Sequence, residues 1–190
     1  MEATRQVWWR RILWDRAFSW VWLLVRVYVG WEWLNAGWAK ISGEEAGFWG
    51  AGAGKAMAGY WTKAAGLLVG PDGKPVQGSA FWWYRDFLKF LLATHSQVWF
   101  SYFISAAELL VGLALILGFL TPIAAAGAAL MNLNYLLAGS ASVNGWLYTL
   151  AILILVAGTN AGSLGVDRWL WPALFGRRRA EAGAAAAGGR

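Results

Sequence analysis

The sequence predicts an all-α protein, an integral membrane four-helix bundle with a long extracytoplasmic loop that contains short interfacial helices. Three observations lead there. Of 190 residues, 59% are hydrophobic and only 14% are charged, a poor match to a domain with a solvated surface. Four segments, about 17–39, 98–119, 121–139 and 145–164, come close to the roughly 20 apolar residues that a helix needs to cross a hydrocarbon core. Sixteen tryptophans suit a membrane interface, where an indole finds an apolar medium for its rings and a wet one for its N–H.

Residues 1–16 form a basic segment with Arg5, Arg10, Arg11 and Arg16. A matching cluster, Arg168, Arg177, Arg178 and Arg179, follows the last span. Arginines beside apolar spans mark cytoplasmic flanks, so the net charge of +6 needs no nucleic acid to explain it. This places both termini inside and the protein in the plasma (inner) membrane. The first span, about 17–39, is too long and too interrupted by charge for a signal peptide. The 40–97 connection then lies outside. Within it, KAMAGYWTKAAGLL (55–68) suggests a short helix, VGPDGKPVQG (69–78) is dense in turn formers, and FWWYRDFLKFLLATH (81–95) reads as an amphipathic interfacial helix. GFLTP (118–122) is a tight cytoplasmic turn with Pro122 in the first turn of the next helix, and AGSASVNG (138–145) a short external one. Together, 17–172 form the membrane domain, and 173–190 are a basic tail of low complexity, expected to be disordered.

Each span carries a polar stripe. Turning the first at 100° per residue puts Trp20, Leu23, Val27, Trp31, Leu34 and Trp38 towards lipid and leaves Arg26 and Glu32 on the other half. The second repeats Ser101, Ser105, Glu108 and Gly112; the third Ala125, Ala128, Asn132, Tyr135 and Gly139, with Asn134 on another side. The fourth adds Tyr148, Thr149, Thr159 and Ser163. An unpaired charge at midplane costs about 2.5–3.5 kcal/mol on insertion scales, so Arg26 and Glu108 are expected to form an intramembrane ion pair. Glu32, Asn35, Asn132 and Asn134 are expected to line a polar pocket in the outer half. A purely structural pair, fixing helix register, is the competing reading. His95, just before the second span, is read as an interfacial histidine rather than a proton relay.

VRVYVGWEWLNAGWAKI resembles the first-helix signature of the DoxX/DoxD membrane proteins at Arg26, Gly30, Ala36, Gly37 and Lys40. The resemblance continues through AELLVGLALILGFLTP, with Glu108 at the acidic position, through MNLNYLLAGSASVN, and into GTNAGSLGVDRWLWP. It spans roughly 18–172 and looks closest to DoxD, the small membrane subunit of thiosulfate:quinone oxidoreductase. Ser163 stands where many members carry arginine, and Gly145 where proline is common. The resemblance implies a membrane subunit of a quinone-linked oxidoreductase with a second protein subunit as partner and quinone as electron acceptor. In that setting Trp33, Asn35, Asn132, Asn134 and Tyr135 would form a quinone or substrate pocket, with Trp31 as a further aromatic wall. Glu108 and Glu32 would handle protons, and Lys40, Arg85 and Lys89 would draw an anion such as thiosulfate to the outer mouth. One histidine and no cysteine leave no ligand set for a metal, haem or iron–sulfur centre, and no flavin signature is present. Two other readings stay open, a non-catalytic scaffold for a redox partner and a small-solute or proton pathway. The small-residue faces also leave a homo-oligomer open.

Overall fold

The computed structural model describes residues 8–47, 49, 52 and 54–174. Among them the chain is all-helical, with one isolated bridge between Val69 and Pro75. Helix α1 (Trp8–Trp14) and a 3-10 turn (Arg16–Phe18) lead into α2 (Ser19–Ile41). Helices α3 (Lys55–Ala64) and α4 (Trp82–Ala93) fill the long loop, and α5 (Gln97–Leu117), α6 (Thr121–Leu137), α7 (Asn144–Ala157) and α8 (Thr159–Gly162) follow. A last helical stretch, α9, covers 167–174. The tail expected to be disordered begins inside this helix, as 173 and 174 are helical; its residues 175–190, with Arg177, Arg178 and Arg179, and Arg5 near the start lie outside the described residues.

Helices α2, α5, α6 and α7 pack round one core, with the closest pairings α2 with α5 and α6 with α7. The α2–α5 seam has almost no side-chain layer. A Cβ on Gly112 would meet the Leu34 N at 2.5 Å and the Gly30 O at 2.7 Å; one on Gly37 would meet the Leu109 N at 2.7 Å. Backbones this close gain van der Waals contact that bulkier residues would forbid, so the Gly30 and Gly37 faces pack within the chain.

The outward faces carry Trp20, Leu24, Val27, Trp31 and Trp38 of α2 and a comparable set on α5, all exposed. An apolar exterior of this extent marks a surface that meets something other than water. Among the described residues α5 alone is both long and apolar enough to cross a membrane by itself, with mean hydropathy 2.0. Helix α2 is longer but interrupted by Arg26, Glu32 and Lys40. Helices α6 and α7 stop at 17 and 14 residues. The fourth expected span breaks at Gly158, whose φ of 57° and ψ of −126° is open to glycine and costly for other residues.

The outer helices form a second small core from Met57, Trp61, Tyr84, Leu88 and Leu91. Two phenols tie it to the end of α6: Tyr60 donates to the Tyr135 carbonyl and Tyr84 to the Asn134 carbonyl, each at 3.1 Å. Burial pushes both hydroxyls up to about 12.

Candidate functional site

At one end of the core, three buried side chains take up backbone groups that the helices leave unpaired. The last carbonyls of a helix have no intrahelical partner and carry its negative dipole end. Arg26, wholly buried, donates from Nη1 to the Leu115 and Ile116 carbonyls at 2.7 and 3.0 Å and from Nη2 to the Leu164 carbonyl at 3.0 Å. It therefore caps α5. Asp167 accepts from the N–H groups of Leu120 and Thr121 at 2.7 and 2.8 Å and so caps α6. The strands of chain between these caps are stitched by Val166 N–H to Leu117 O and Asp167 N–H to Gly118 O. Gly118 sits at φ 67° with its Cα against the Arg26 guanidinium, where any Cβ would collide. Asn160 completes the set, accepting from Ser19 Oγ at 2.7 Å and donating to the Leu13 and Asp15 carbonyls. The GTNAGSLGVDRW segment is thus a clamp that fastens α1, α2, α5 and α6.

The ion pair expected between Arg26 and Glu108 does not form. Gly30 lies against Gly112 and Ile116, and Gly37 against Ser105 and Leu109, which sets the antiparallel register. Glu108 is therefore level with about residue 36 of α2, some ten residues from Arg26 or ~15 Å at 1.5 Å per residue. One turn from that level stands Lys40. Its Nζ is 2.7 Å from Glu108 Oε2, both side chains being almost fully buried. The other carboxylate oxygen accepts from the Tyr135 hydroxyl at 2.6 Å.

This Lys40–Glu108–Tyr135 group lines a cavity of about 290 Å³ shared by α2, α5, α6, the start of α7 and the outer loop. Trp33 stacks on Tyr135 with ring centroids 6.4 Å apart, and Tyr60 meets it edge-on at 6.1 Å. Lys40 Nζ also lies 4.8 Å from the Trp49 ring centre, and Trp49 in turn donates to Glu45 at 2.8 Å. Glu32 lines the same cavity. Trp33 is buried, and its indole N–H has no partner.

Several expected pocket residues stand elsewhere. Asn35 is exposed and outside the cavity lining. Asn132 is wholly buried, with neither amide atom partnered, and does not reach the cavity. Asn134 faces a separate apolar cavity of about 170 Å³ and donates to the Leu130 carbonyl. The spacing explains this: Asn132 and Asn134 lie about 200° apart on the helix, so one pocket cannot take both with Tyr135. Arg85 donates to the Ser79 carbonyl, and Lys89 pairs with Asp86 on the surface; neither lines the cavity. His95 is an exposed turn residue with φ 52°. Tyr60, Glu45 and Trp49 were missed by sequence reasoning. Tyr60 lies on the short helix expected over 55–68, and Glu45 and Trp49 in the EEAGFW run after α2, but neither stretch carries a period that shows which of its residues turn to the bundle.

Among the described residues, the cavity lining thus holds three carboxylates, Glu32, Glu45 and Glu108, against one cation, Lys40. Its charge is the opposite of what an anion-collecting mouth requires. A carboxylate, an ammonium and a phenol within hydrogen-bond reach can instead exchange protons with a neutral guest.

A family model described as TQO small subunit DoxD matches residues 76–175. The chain belongs to the DoxD family. The match takes in α4 to α9, and with them Glu108, Tyr135, Asn160 and Asp167. Helix α2, with Arg26 and Lys40, precedes the matched stretch. Comparison with curated proteins and with solved structures finds no match. Membership of the DoxD family, together with the apolar helix α5, makes this a membrane protein, and the family's description as a small subunit agrees with a protein partner.

Proposed function

We propose that this DoxD-family chain is the quinone-handling membrane subunit of a thiosulfate:quinone-type oxidoreductase complex. In this reading α2, α5, α6 and α7 with α8 cross the bilayer, the termini are cytoplasmic, and α4 lies on the outer interface with Trp82, Phe87 and Phe90 towards lipid. The observation that carries the reading is the buried Lys40–Glu108–Tyr135 group at the wall of the outer cavity. Reducing a quinone to a quinol takes two electrons and two protons. Lys40, whose ammonium has more than one N–H, supplies a donor for a ring carbonyl, Glu108 passes protons and takes them up again through its bond to the Tyr135 hydroxyl, and Trp33 and Tyr60 offer aromatic walls. A volume of about 290 Å³ is at the small end of ligand sites and suits a ring head group more than a large ligand. The acidic lining disfavours thiosulfate, so sulfur oxidation is assigned to the partner chain.

The test is quinone retained by the protein in lipid nanodiscs, quantified after extraction, alongside thiosulfate-dependent quinone reduction with the partner present. Glu108→Gln and Tyr135→Phe are expected to lower turnover by about a hundredfold or more, the lower end of what a general acid–base group contributes, and to lower the retained quinone as well. Wild-type protein without bound quinone, or variants with undiminished turnover, would overturn the assignment.

A further inference from the structure

A second cavity lies at the opposite end of the bundle, between the α1–α2 elbow and the α8–α9 clamp, with a volume of about 500 Å³. Arg16 and Arg168 both line it, both are exposed, and neither forms an ion pair among the described residues. Among the described residues, the contact given by the Arg168 guanidinium is with the Trp169 ring, 6.0 Å away. The carboxylate that shares this lining, Asp167, is 2% exposed, and both its oxygens are taken by the α6 amides. Ser19 and Ser163 spend their hydroxyls on Asn160, while Thr159 stays exposed at the rim. Two uncompensated guanidiniums therefore face one concave space, and a guanidinium fork matches phosphate oxygens.

The surroundings choose between a free phosphate and a lipid. Trp14 and Trp20 line the same cavity with their rings largely exposed, as indoles at a membrane interface are. Trp20 also heads the exposed stripe Trp20, Leu24, Val27 and Trp31, whose spacing of four, three and four residues keeps it on one side of α2. A molecule whose phosphate sat between Arg16 and Arg168 would find an apolar track for its chains directly beneath. We infer that this cavity binds the phosphodiester of an anionic phospholipid, with its acyl chains running along the Trp20–Trp31 stripe of α2. Such a lipid would fasten the elbow to the clamp that holds Arg26 and Asp167.

The experiment is native mass spectrometry of the full chain released from detergent with equal amounts of phosphatidylglycerol and phosphatidylcholine. At roughly fivefold per cation near a membrane surface, two arginines give an expected preference for phosphatidylglycerol of about 25-fold. The Arg16→Gln/Arg168→Gln double variant should fall to near parity, whereas Arg10→Gln/Arg11→Gln, which removes the same charge outside the cavity, should keep the preference. Equal loss in the two double variants would mean diffuse surface charge and overturn the site. Displacement of the lipid by inorganic phosphate would make it a free-anion site and overturn the lipid assignment. If the cavity variant does not fold, thermal melting of the wild type decides: stabilisation by phosphatidylglycerol over phosphatidylcholine that inorganic phosphate does not reproduce supports the proposal, and equal stabilisation refutes it.

Discussion

Replacing Lys40 by methionine isolates the partner of the buried Glu108 carboxylate. In the native chain that carboxylate, about 1% exposed, is held by Lys40 at 2.7 Å and Tyr135 at 2.6 Å. Lys40→Met leaves the charge buried with one neutral donor, and breaking a buried pair in this way costs about 3–5 kcal/mol. At 2–4 °C of melting temperature per kcal/mol for a chain of this size, the expected fall is roughly 6–20 °C. Glu108→Gln in the same background removes the orphaned charge and keeps an amide for Tyr135, so most of the loss should return. The double-mutant cycle should then show a coupling of about 2 kcal/mol or more, of the size measured for groups in direct contact. The same cycle on Arg26→Met and Glu108→Gln should be additive to within about 0.5 kcal/mol, because the two groups are far apart on the seam. Melting in detergent, followed by tryptophan fluorescence, measures both cycles. Additivity for Lys40 with Glu108, or coupling for Arg26 with Glu108, would refute the register argued from the glycine contacts.

Gly112→Ala should lower stability by about 1–3 kcal/mol, since its Cβ meets backbone on both sides and the helices must part; Gly59→Ala, with open space around it, should gain up to about 1 kcal/mol in a helix interior. Asp167→Ala should cost about 3 kcal/mol or more through two charge-assisted bonds, with faster hydrogen exchange at the Leu120 and Thr121 amides as its local signature. Burial holds the Tyr60 and Tyr84 hydroxyls near 12, against an ordinary 10. Unfolded chains lose these protons first, so stability should be unchanged below pH 10 and fall between pH 10 and 12; absorbance at 295 nm follows the titration, and Tyr84→Phe should flatten the fall. Asn132→Leu should leave stability unchanged or raise it, because an apolar group of similar shape replaces an amide buried without partners.

The long helices were legible because apolar runs punctuated by Gly118 and Pro122 speak directly to local backbone preference, whereas the break at Gly158 and the short helices α1 and α9 were not read from the sequence. The outward side of α2 was largely legible: of the expected stripe, Trp20, Val27, Trp31 and Trp38 emerge exposed, while Leu23 and Leu34 are half-buried. Partner choice was not. Arg26 and Glu108 each sit about midway in an apolar run, and depth judged one helix at a time takes no account of how two helices slide along each other. The Gly30, Gly37 and Gly112 contacts set that slide, and with it Lys40 rather than Arg26 reaches Glu108.

The sequence by itself determined that this chain is helical and apolar outside, with polar residues set among an apolar core, and its motifs pointed to the DoxX/DoxD family, because period, composition and residue order are one-dimensional properties. Only the tertiary structure decided which polar residues meet. It turned Arg26, Asn160 and Asp167 into partners for backbone groups at helix ends and turns, drew Tyr60, Glu45 and Trp49 from the loop over the Glu108 cavity, and kept Asn132 and Asn134 apart. Those outcomes depend on helix register and on how a non-periodic loop returns to the bundle, and both are fixed by contacts between residues far apart in the chain.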